Sequence, residues 1–537
     1  MLRGKERGAV KKEVSLTFLA NWVVRIFGST IFLILTWYSM RYTQYVEPGW
    51  QEIPNNMPDS MVWNMLFLVL AVGVFAGLLV LEKKLSERVK NRIMRGTLVL
   101  LCLWIGSFSL WWITTVDRQP VGDQAYIYGG ASYFLEGNYS FLQEGGYCSY
   151  YPHQLGLIAL MEVLFLIVGS LNYFAVQVIC AQMAVGIAIF GYLLVRELSK
   201  KMAVAVFYCL TMFACLPLIF YTGWVYGDIP CIFFSLITAW CLLRYVRSSK
   251  WGWLVGMVLA VVLALLVRKN SLIMLIALCL VTGVYALQKK DKKLLVAVAL
   301  TAALSCLVYA GIYKMYEIRS GYEHEEGIPA ASFIAMGMQE DSGKCGWYTQ
   351  YCKEVFQASG FDAEAASELS KQDIKWRLEE FIANPSYTWN FYREKILSQW
   401  NAPLYQSIFF SVQYWEGKEP YCDSDIYRLT NVRFFEVLGI CNRMQFILYV
   451  GMLCYFLFAV RKDSNILQHL LAVTIIGGFL FSIIWEAKAR YVFPYYVTMY
   501  PLAAMGYWQM LRKVQALFGR RTVRYVDEEE VELEQVA

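Results

Sequence analysis

Two aspartates, Asp117 and Asp123, open a polar island at 114–157 that is set between long apolar runs. The island reads TTVDRQPVGDQAYIYGGASYFLEGNYSFLQEGGYCSYYPHQLGL and includes Tyr151-Pro152-His153-Gln154 near its end. A carboxylate held at the mouth of a membrane bundle can act as a general base on a hydroxyl delivered to that surface. A third carboxylate, Asp228, stands in Tyr226-Gly227-Asp228-Ile229-Pro230 at the edge of another apolar run. Two basic clusters accompany them, Arg268-Lys269-Asn270 and Glu486-Ala487-Lys488-Ala489-Arg490-Tyr491. Arg supplies a planar fork and Lys a point charge, so both suit recognition of a phosphate or pyrophosphate. Each feature also has a plainer explanation. Asp123 would cap the helix it opens, Asp117 would end a span, and Arg268 would snorkel to lipid headgroups. Glu486 can pair with Lys488 or Arg490. His153 stands at an interfacial helix start or contacts phosphate or acceptor.

The elements that must position these groups are membrane helices. The chain has 537 residues, 58% hydrophobic and 17% charged, against about 25% charged residues in average soluble domains. Apolar blocks of the length that crosses about 30 Å of hydrocarbon recur along it. They predict spans at 14–39, 61–81, 96–115, 156–169, 173–195, 202–221, 229–245, 251–267, 270–287, 294–312, 445–460, 467–485 and 491–511. The fold class is therefore an all-α polytopic membrane protein of about 12–13 helices, and no strand alternation indicates a barrel. Lys and Arg in the N-terminus, 82–95, 196–201, 244–250, 288–293, 461–462 and 512–524 put both termini and those loops in the cytoplasm. The polar segments 40–60, 116–155, 222–228 and 313–443 then lie outside. Alternation needs an odd number of crossings in 156–195, where two apolar segments stand, so one of them is partial, or three short crossings occur. Arg25 interrupts the first apolar run, which is too long for a cleavable signal peptide.

Four regions follow: an N-terminal bundle at 1–312 with the outer loop 116–155, an extracytoplasmic cap at 313–443, a C-terminal bundle at 444–511 and a cytoplasmic tail at 512–537. Within the cap, Ala363–Ala383 carries apolar residues at helical spacing, and Asn384-Pro385 should end that helix. Arg25 and Glu162 are costly inside a bilayer and can pair with each other or face a wet cavity. Cys148, Cys345, Cys352 and Cys422 fall in outer loops and can pair if that compartment is oxidising. No metal-ligand spacing, P-loop or nucleotide-binding domain occurs. No cofactor is expected, and a divalent metal is not indicated. The formal net charge of +6 reflects basic inner loops and implies no nucleic-acid partner.

At these residues the chain resembles the GT-C membrane glycosyltransferases, in particular the bacterial members of the dolichyl-phosphate-mannose protein mannosyltransferase-like group (family 39). The resemblance rests on Gly122-Asp123-Gln124-Ala125-Tyr126, then Ala131, Phe134, Gly137 and Tyr139, then Tyr150-Tyr151-Pro152-His153-Gln154-Leu155-Gly156. It continues in Leu266-Val267-Arg268-Lys269-Asn270 and in Glu486-Ala487-Lys488-Ala489-Arg490-Tyr491-Val492-Phe493-Pro494. It implies an inverting sugar transfer from a polyprenyl-phosphate donor to an acceptor hydroxyl on the outer face of the cell membrane. The acceptor would be a protein, a glycolipid or a cell-wall polymer. By the same resemblance Asp123 would be the base, with Asp117 or Asp228 as second carboxylate. Arg268, Lys269, His153, Lys488 and Arg490 would bind donor phosphate, and Tyr126, Tyr151, Gln154 and Glu486 would bind substrate. Tyr128, Tyr147 and Tyr150 could stack on sugar. The chain departs from the family by Gln124, where many members have a second acid, and by His153, where several have Lys.

Two rival classes have distinct signatures. A polymer ligase or polymerase using a lipid diphosphate would carry outer loops rich in Arg and His, whereas this chain has three histidines. A transporter or flippase would show paired repeats with matched broken helices, and neither is visible.

Overall fold

The computed structural model describes residues 2–49, 51–323, 326–412 and 424–518. Helix α1 (Leu2–Ser39) leads into a hairpin of β1 (Tyr42–Val46) and β2 (Pro54–Pro58), paired from Tyr42↔Pro58 to Val46↔Pro54. The turn of this hairpin carries Glu52. Helices α2 (Met61–Lys84) and α3 (Glu87–Val116) follow. Ser60 starts α2 by accepting from the Trp63 amide at 3.4 Å, and Lys83 and Lys84 close it against the helix dipole. Asp117 ends α3 in the left-handed conformation, with φ 39°.

The polar island folds as α4 (Asp123–Leu135), a short turn α5 (Tyr147–Tyr150) and α6 (Leu155–Val168). The segments Ser140–Tyr150 and Pro152–Val168 are bent by 104°. The bend falls at Tyr151-Pro152, because the residue before proline avoids the α region; Tyr151 has φ −127° and ψ 60°. The partial element expected in 156–195 therefore begins with a broken helix. Helices α7 (Tyr173–Leu198), α8 (Met202–Met212), α9 (Leu216–Phe220), α10 (Asp228–Ser248), α11 (Trp251–Val267), α12 (Leu272–Lys289) and α13 (Lys292–Ser320) complete this part.

Beyond it lie α14 (Ala330–Gly337), the small hairpin β3 (Glu340–Asp341) and β4 (Lys344–Cys345), α15 (Tyr351–Ala358), α16 (Ala363–Ala383), α17 (Pro385–Trp400), α18 (Ser407–Val412) and α19 (Asp425–Tyr427). Helix α16 has the predicted bounds. Asp362 caps it by accepting from the Glu364 and Ala365 amides at 2.8 and 3.1 Å, and Pro385 opens α17. The chain ends in α20 (Phe434–Cys454), α21 (Leu470–Ile484) and α22 (Ala489–Phe518).

Among the described residues nine helices are long and apolar enough to cross a membrane, or up to eleven if each of two bent pairs is one span. The second bent pair joins α8 to α9 at 57°. Helix α11 is apolar but has only 17 residues. Helix α22 carries Pro494 and Pro501 and packs against α7, α8, α10, α17, α20 and α21. It is thus the central post of the bundle, and its first turn meets the segments 116–155 and 313–443 through Asp123 and Phe410.

Three expectations are corrected. Arg25 and Glu162 do not pair: Glu162 binds Arg319 at 2.7 Å and accepts from the Tyr316 hydroxyl at 3.2 Å, while Arg25 lies over Trp22 at 5.6 Å. Sequence reasoning missed Arg319 because α13 runs on to Ser320, past the expected end at 312. Cys148, Cys345 and Cys352 are free and buried in apolar clusters; Cys422 lies outside the described residues. Asp123 does not cap α4. Gly122 holds the cap position with φ 54°, and Asp123 is the first helical residue. The tail expected at 512–537 falls outside the described residues beyond 518.

Candidate active site

The short link between α21 and α22 is held rigidly. The Ala487 amide donates to the Gly346 carbonyl at 2.7 Å, and Phe333 stacks on Trp485 at 5.1 Å. Gly337 permits this approach, since a Cβ there would lie 2.6 Å from the Trp485 carbonyl carbon. The link delivers Arg490 into the first turn of α22, where it is 3% exposed. Its guanidinium sits among aromatic rings: Phe410 at 4.7 Å, Tyr226 at 4.9 Å, Trp224 at 5.6 Å and Tyr491 at 5.7 Å. Nη2 lies 4.0 Å from Asp123 Oδ2. Nε and Nη1 are buried without a hydrogen-bond partner. Buried guanidinium N–H groups are rarely left unpaired, and an oxyanion is their strongest acceptor.

Asp123 is the open side of this pair, with a side chain 45% exposed. Its neighbour Gln124 is buried and structural. Gln124 Oε1 accepts from the Tyr173 hydroxyl at 2.6 Å and from the Val225 amide at 3.1 Å. Gln124 therefore ties α4 to α7 and to the segment before α10. Tyr126 stacks on Tyr147 at 4.7 Å. The Tyr147 and Tyr226 hydroxyls are 2.8 Å apart, and Gln154 Nε2 donates to Tyr226 at 2.8 Å. Tyr151 lies 5.3 Å from Tyr147, and His153 is bonded to Gln154 at 3.3 Å. These aromatic and amide groups connect the island to Tyr226, on which Arg490 rests.

A polar chain closes the other side. Lys488 pairs with Glu52 at 3.1 Å. Gln406 Nε2 donates to Glu52, while Gln406 Oε1 accepts from the Arg490 amide at 3.2 Å. Tyr405 and Gln406 both adopt positive φ, 48° and 62°, a strained backbone of the kind that collects at functional sites. Glu486 pairs with neither Lys488 nor Arg490, contrary to expectation. One oxygen accepts from the Tyr491 hydroxyl at 3.3 Å, and Oε1 is buried without a partner. Burial pushes its carboxyl up to about 7, against the pull of Lys488. Burial likewise brings the nearby Lys395 ammonium, bonded to the Gly337 carbonyl, down to about 7. The Lys488 ammonium lies over the Tyr348 ring at 5.4 Å, so Tyr348 lines the same space, and burial raises its phenol, with the Glu486 and Asp123 carboxylates adding to the effect.

Asp228 is 0% exposed and paired with Arg268. Arg268 lies over the Tyr491 ring at 5.7 Å. Lys269 follows at the start of the turn that opens α12. Asp117 stays exposed at the end of α3. The structure thus gathers Asp123, Arg490, Lys488, Glu486, Tyr126, Tyr151 and Gln154 in one region; beside it stands the Asp228–Arg268 pair, whose carboxylate also acts on Arg490 and keeps Oδ2 without a partner. Sequence reasoning missed Glu52, Trp224, Tyr348, Gln406 and Phe410. Tyr226 and Tyr491 were legible only as neighbours of charged residues. Among the described residues no group of three or more His, Cys, Asp or Glu could hold a metal ion.

Residues 153–312 match the family model of dolichyl-phosphate-mannose-protein mannosyltransferase. No curated protein and no solved structure matches the chain. The matched segment holds His153, Gln154, Asp228, Arg268 and Lys269. Asp117, Asp123, Glu486, Lys488 and Arg490 stand outside it. The match supports a membrane glycosyltransferase, mannosyltransferase-like, on an all-α polytopic scaffold.

Proposed function

We propose that this chain moves a sugar from a polyprenyl-phosphate donor to an acceptor hydroxyl on a protein, glycolipid or cell-wall polymer, at the place where Asp123 and Arg490 meet. The observation that carries the proposal is the buried Arg490, whose Nε and Nη1 lack partners beside an open carboxylate. The donor phosphate accepts from these N–H groups. Asp123 takes the proton of the acceptor hydroxyl as its oxygen bonds to the anomeric carbon. The bond from that carbon to the phosphate oxygen breaks, and its electron pair leaves on the phosphate, so configuration inverts once. Charge builds on the departing phosphate in a cage of rings that excludes water, where a fixed cation acts most strongly. Lys488, held by Glu52, adds a second cation, whereas Arg268 is committed to Asp228. Tyr126 and Tyr151 provide faces for sugar rings. The active face would be extracytoplasmic and both termini cytoplasmic.

The test is transfer of radiolabelled sugar from polyprenyl-phosphate donors in membranes carrying matched amounts of wild type, Asp123→Asn or Arg490→Gln. Loss of a general base lowers rate by about 10²–10⁴-fold, and that loss is expected for Asp123→Asn. Equal transfer by wild type and Asp123→Asn would remove Asp123 from the reaction and turn attention to Asp117 or Asp228. Absence of transfer from every donor by the wild type would sink the transferase reading.

A further inference from the structure

A polar cavity lies near the start of the apolar stretch of α1 (Leu16–Ser39), away from the candidate active site. It has a volume of about 270 Å³ and is lined by Asn21, Trp22, Arg25, Val460, Arg461, Lys462 and Asp463. Asn21 Nδ2 donates to the Ser464 carbonyl at 2.8 Å and to the Lys462 carbonyl at 3.5 Å. These bonds put Asn21 level with the turn that joins two spans, and so at a membrane face. The opposite end of α1 leads into β1 and the hairpin that holds Glu52 beside Lys488. Arg25, one helical turn past Asn21, sits about 6 Å deeper.

Three cations line this cavity against one carboxylate, Asp463, which pairs with Arg461 at 3.3 Å. Arg25 and Lys462 have no carboxylate partner among the described residues. Arg25, partly buried within the apolar run of α1, is the costly one, and an unpaired charge there marks a site for a polar ligand; Lys462 stands on the exposed turn beside it. Asn21 adds an independent requirement. It is 1% exposed, its amide nitrogen is committed to two carbonyls, and Oδ1 has no donor. A buried acceptor without a donor loses its hydration for nothing in return. The cations ask for an anion, and Asn21 Oδ1 asks for a hydroxyl.

We propose that this cavity binds a phosphate ester whose alcohol carries free hydroxyls, the headgroup chemistry of a polyol phospholipid. Arg25 and Lys462 hold the phosphate, and Asn21 Oδ1 accepts from a hydroxyl. The Trp22 indole, beneath the Arg25 guanidinium, lies at the depth where such rings anchor at membrane interfaces. Basic pockets between membrane helices take anionic headgroups in the same way. The site does not depend on the proposed transfer reaction.

The test is native mass spectrometry of the delipidated full chain with phosphatidylglycerol, phosphatidylmethanol or phosphatidylcholine added, and with glycerol 3-phosphate in a separate arm. Phosphatidylglycerol should bind roughly tenfold or more tightly than phosphatidylcholine, and more tightly than phosphatidylmethanol, which has the charge but no hydroxyl. Arg25→Gln with Lys462→Gln should remove that preference, while Asp123→Asn leaves it intact. Glycerol 3-phosphate binding with the same dependence on both residues assigns the site to a soluble ester; phosphatidylglycerol binding without it assigns the site to lipid. Equal binding of phosphatidylglycerol and phosphatidylcholine overturns the proposal, as does unchanged preference in a double variant of normal melting temperature. Phosphatidylmethanol bound as tightly as phosphatidylglycerol overturns the role of Asn21. Lys462→Glu, on the exposed turn, gives the same readout should the double variant fail to fold.

Discussion

Glu486 and Arg490 stand one helical turn apart in sequence, and both are buried with unpartnered polar atoms. They differ in what burial does to them. Arg490 stays charged because a guanidinium holds its proton far above neutrality, whereas the Glu486 carboxyl is pushed up to about 7. That shift has a definite sign. The folded pKa lies above the ordinary value of 4.5, so the folded chain binds more protons than the unfolded one between pH 4.5 and about 7. Stability from this group is full below 4.5 and declines as pH rises through that window. The melting temperature of Glu486→Gln should therefore fall less between pH 5 and 7 than that of the wild type, measured by thermal unfolding in one detergent; parallel curves would contradict the shift. Arg490 separates charge from shape. Arg490→Lys keeps the cation but loses the fork, so transfer should fall by roughly tenfold or more, with a raised KM for donor. Asp123, Lys488 and Arg490 were legible in sequence because charged residues at span ends need a reason. Glu52 and Gln406 were not, since they meet across 354 positions and neither carries a local signal.

The link before α22 shows how an element sets the position of a side chain. A Cβ at Gly337 would press on the Trp485 carbonyl carbon at 2.6 Å and on the Glu486 amide nitrogen at 2.9 Å. Backbone cannot yield as a side-chain tip can. Gly337→Ala should lower stability by about 1–3 kcal/mol and lower transfer through displaced Lys488 and Arg490. Gly311→Ala is the control: its Cβ would meet nothing within 4 Å, and in the middle of α13 alanine should be neutral or stabilise by up to about 1 kcal/mol. Equal effects of the two changes, in melting temperature and transfer, would argue against a rigid link. The helices themselves were largely readable. Apolar blocks marked the spans, and α16 followed from its spacing and from Asn384-Pro385. The 104° bend was not read as a bend, although Tyr151-Pro152 signals a break, because a pattern of apolar residues carries no angle.

At the scale of the whole molecule, buried ion pairs fasten α6 to α13 and α10 to the turn after α11. Arg319 is 30% exposed in its side chain and Glu162 9%. Removing one partner of a buried pair leaves the other uncompensated, at a cost of roughly 3–5 kcal/mol, and partial exposure puts Arg319→Met at the low end. Glu162→Leu combined with Arg319→Met should recover most of the loss in thermal unfolding; a double variant no better than the single one would exclude this coupling. The bundle also imposes an asymmetry in access on the proposed reaction. The Arg490 guanidinium proposed to hold the phosphate is 3% exposed, while the Asp123 carboxylate before it is 45% exposed in its side chain. A substrate resting on Asp123 would stand in the doorway to Arg490. The two substrates must then enter in a compulsory order, lipid donor first and acceptor second. In steady-state kinetics a dead-end acceptor analogue would be uncompetitive toward the donor, and free polyprenyl phosphate competitive with it.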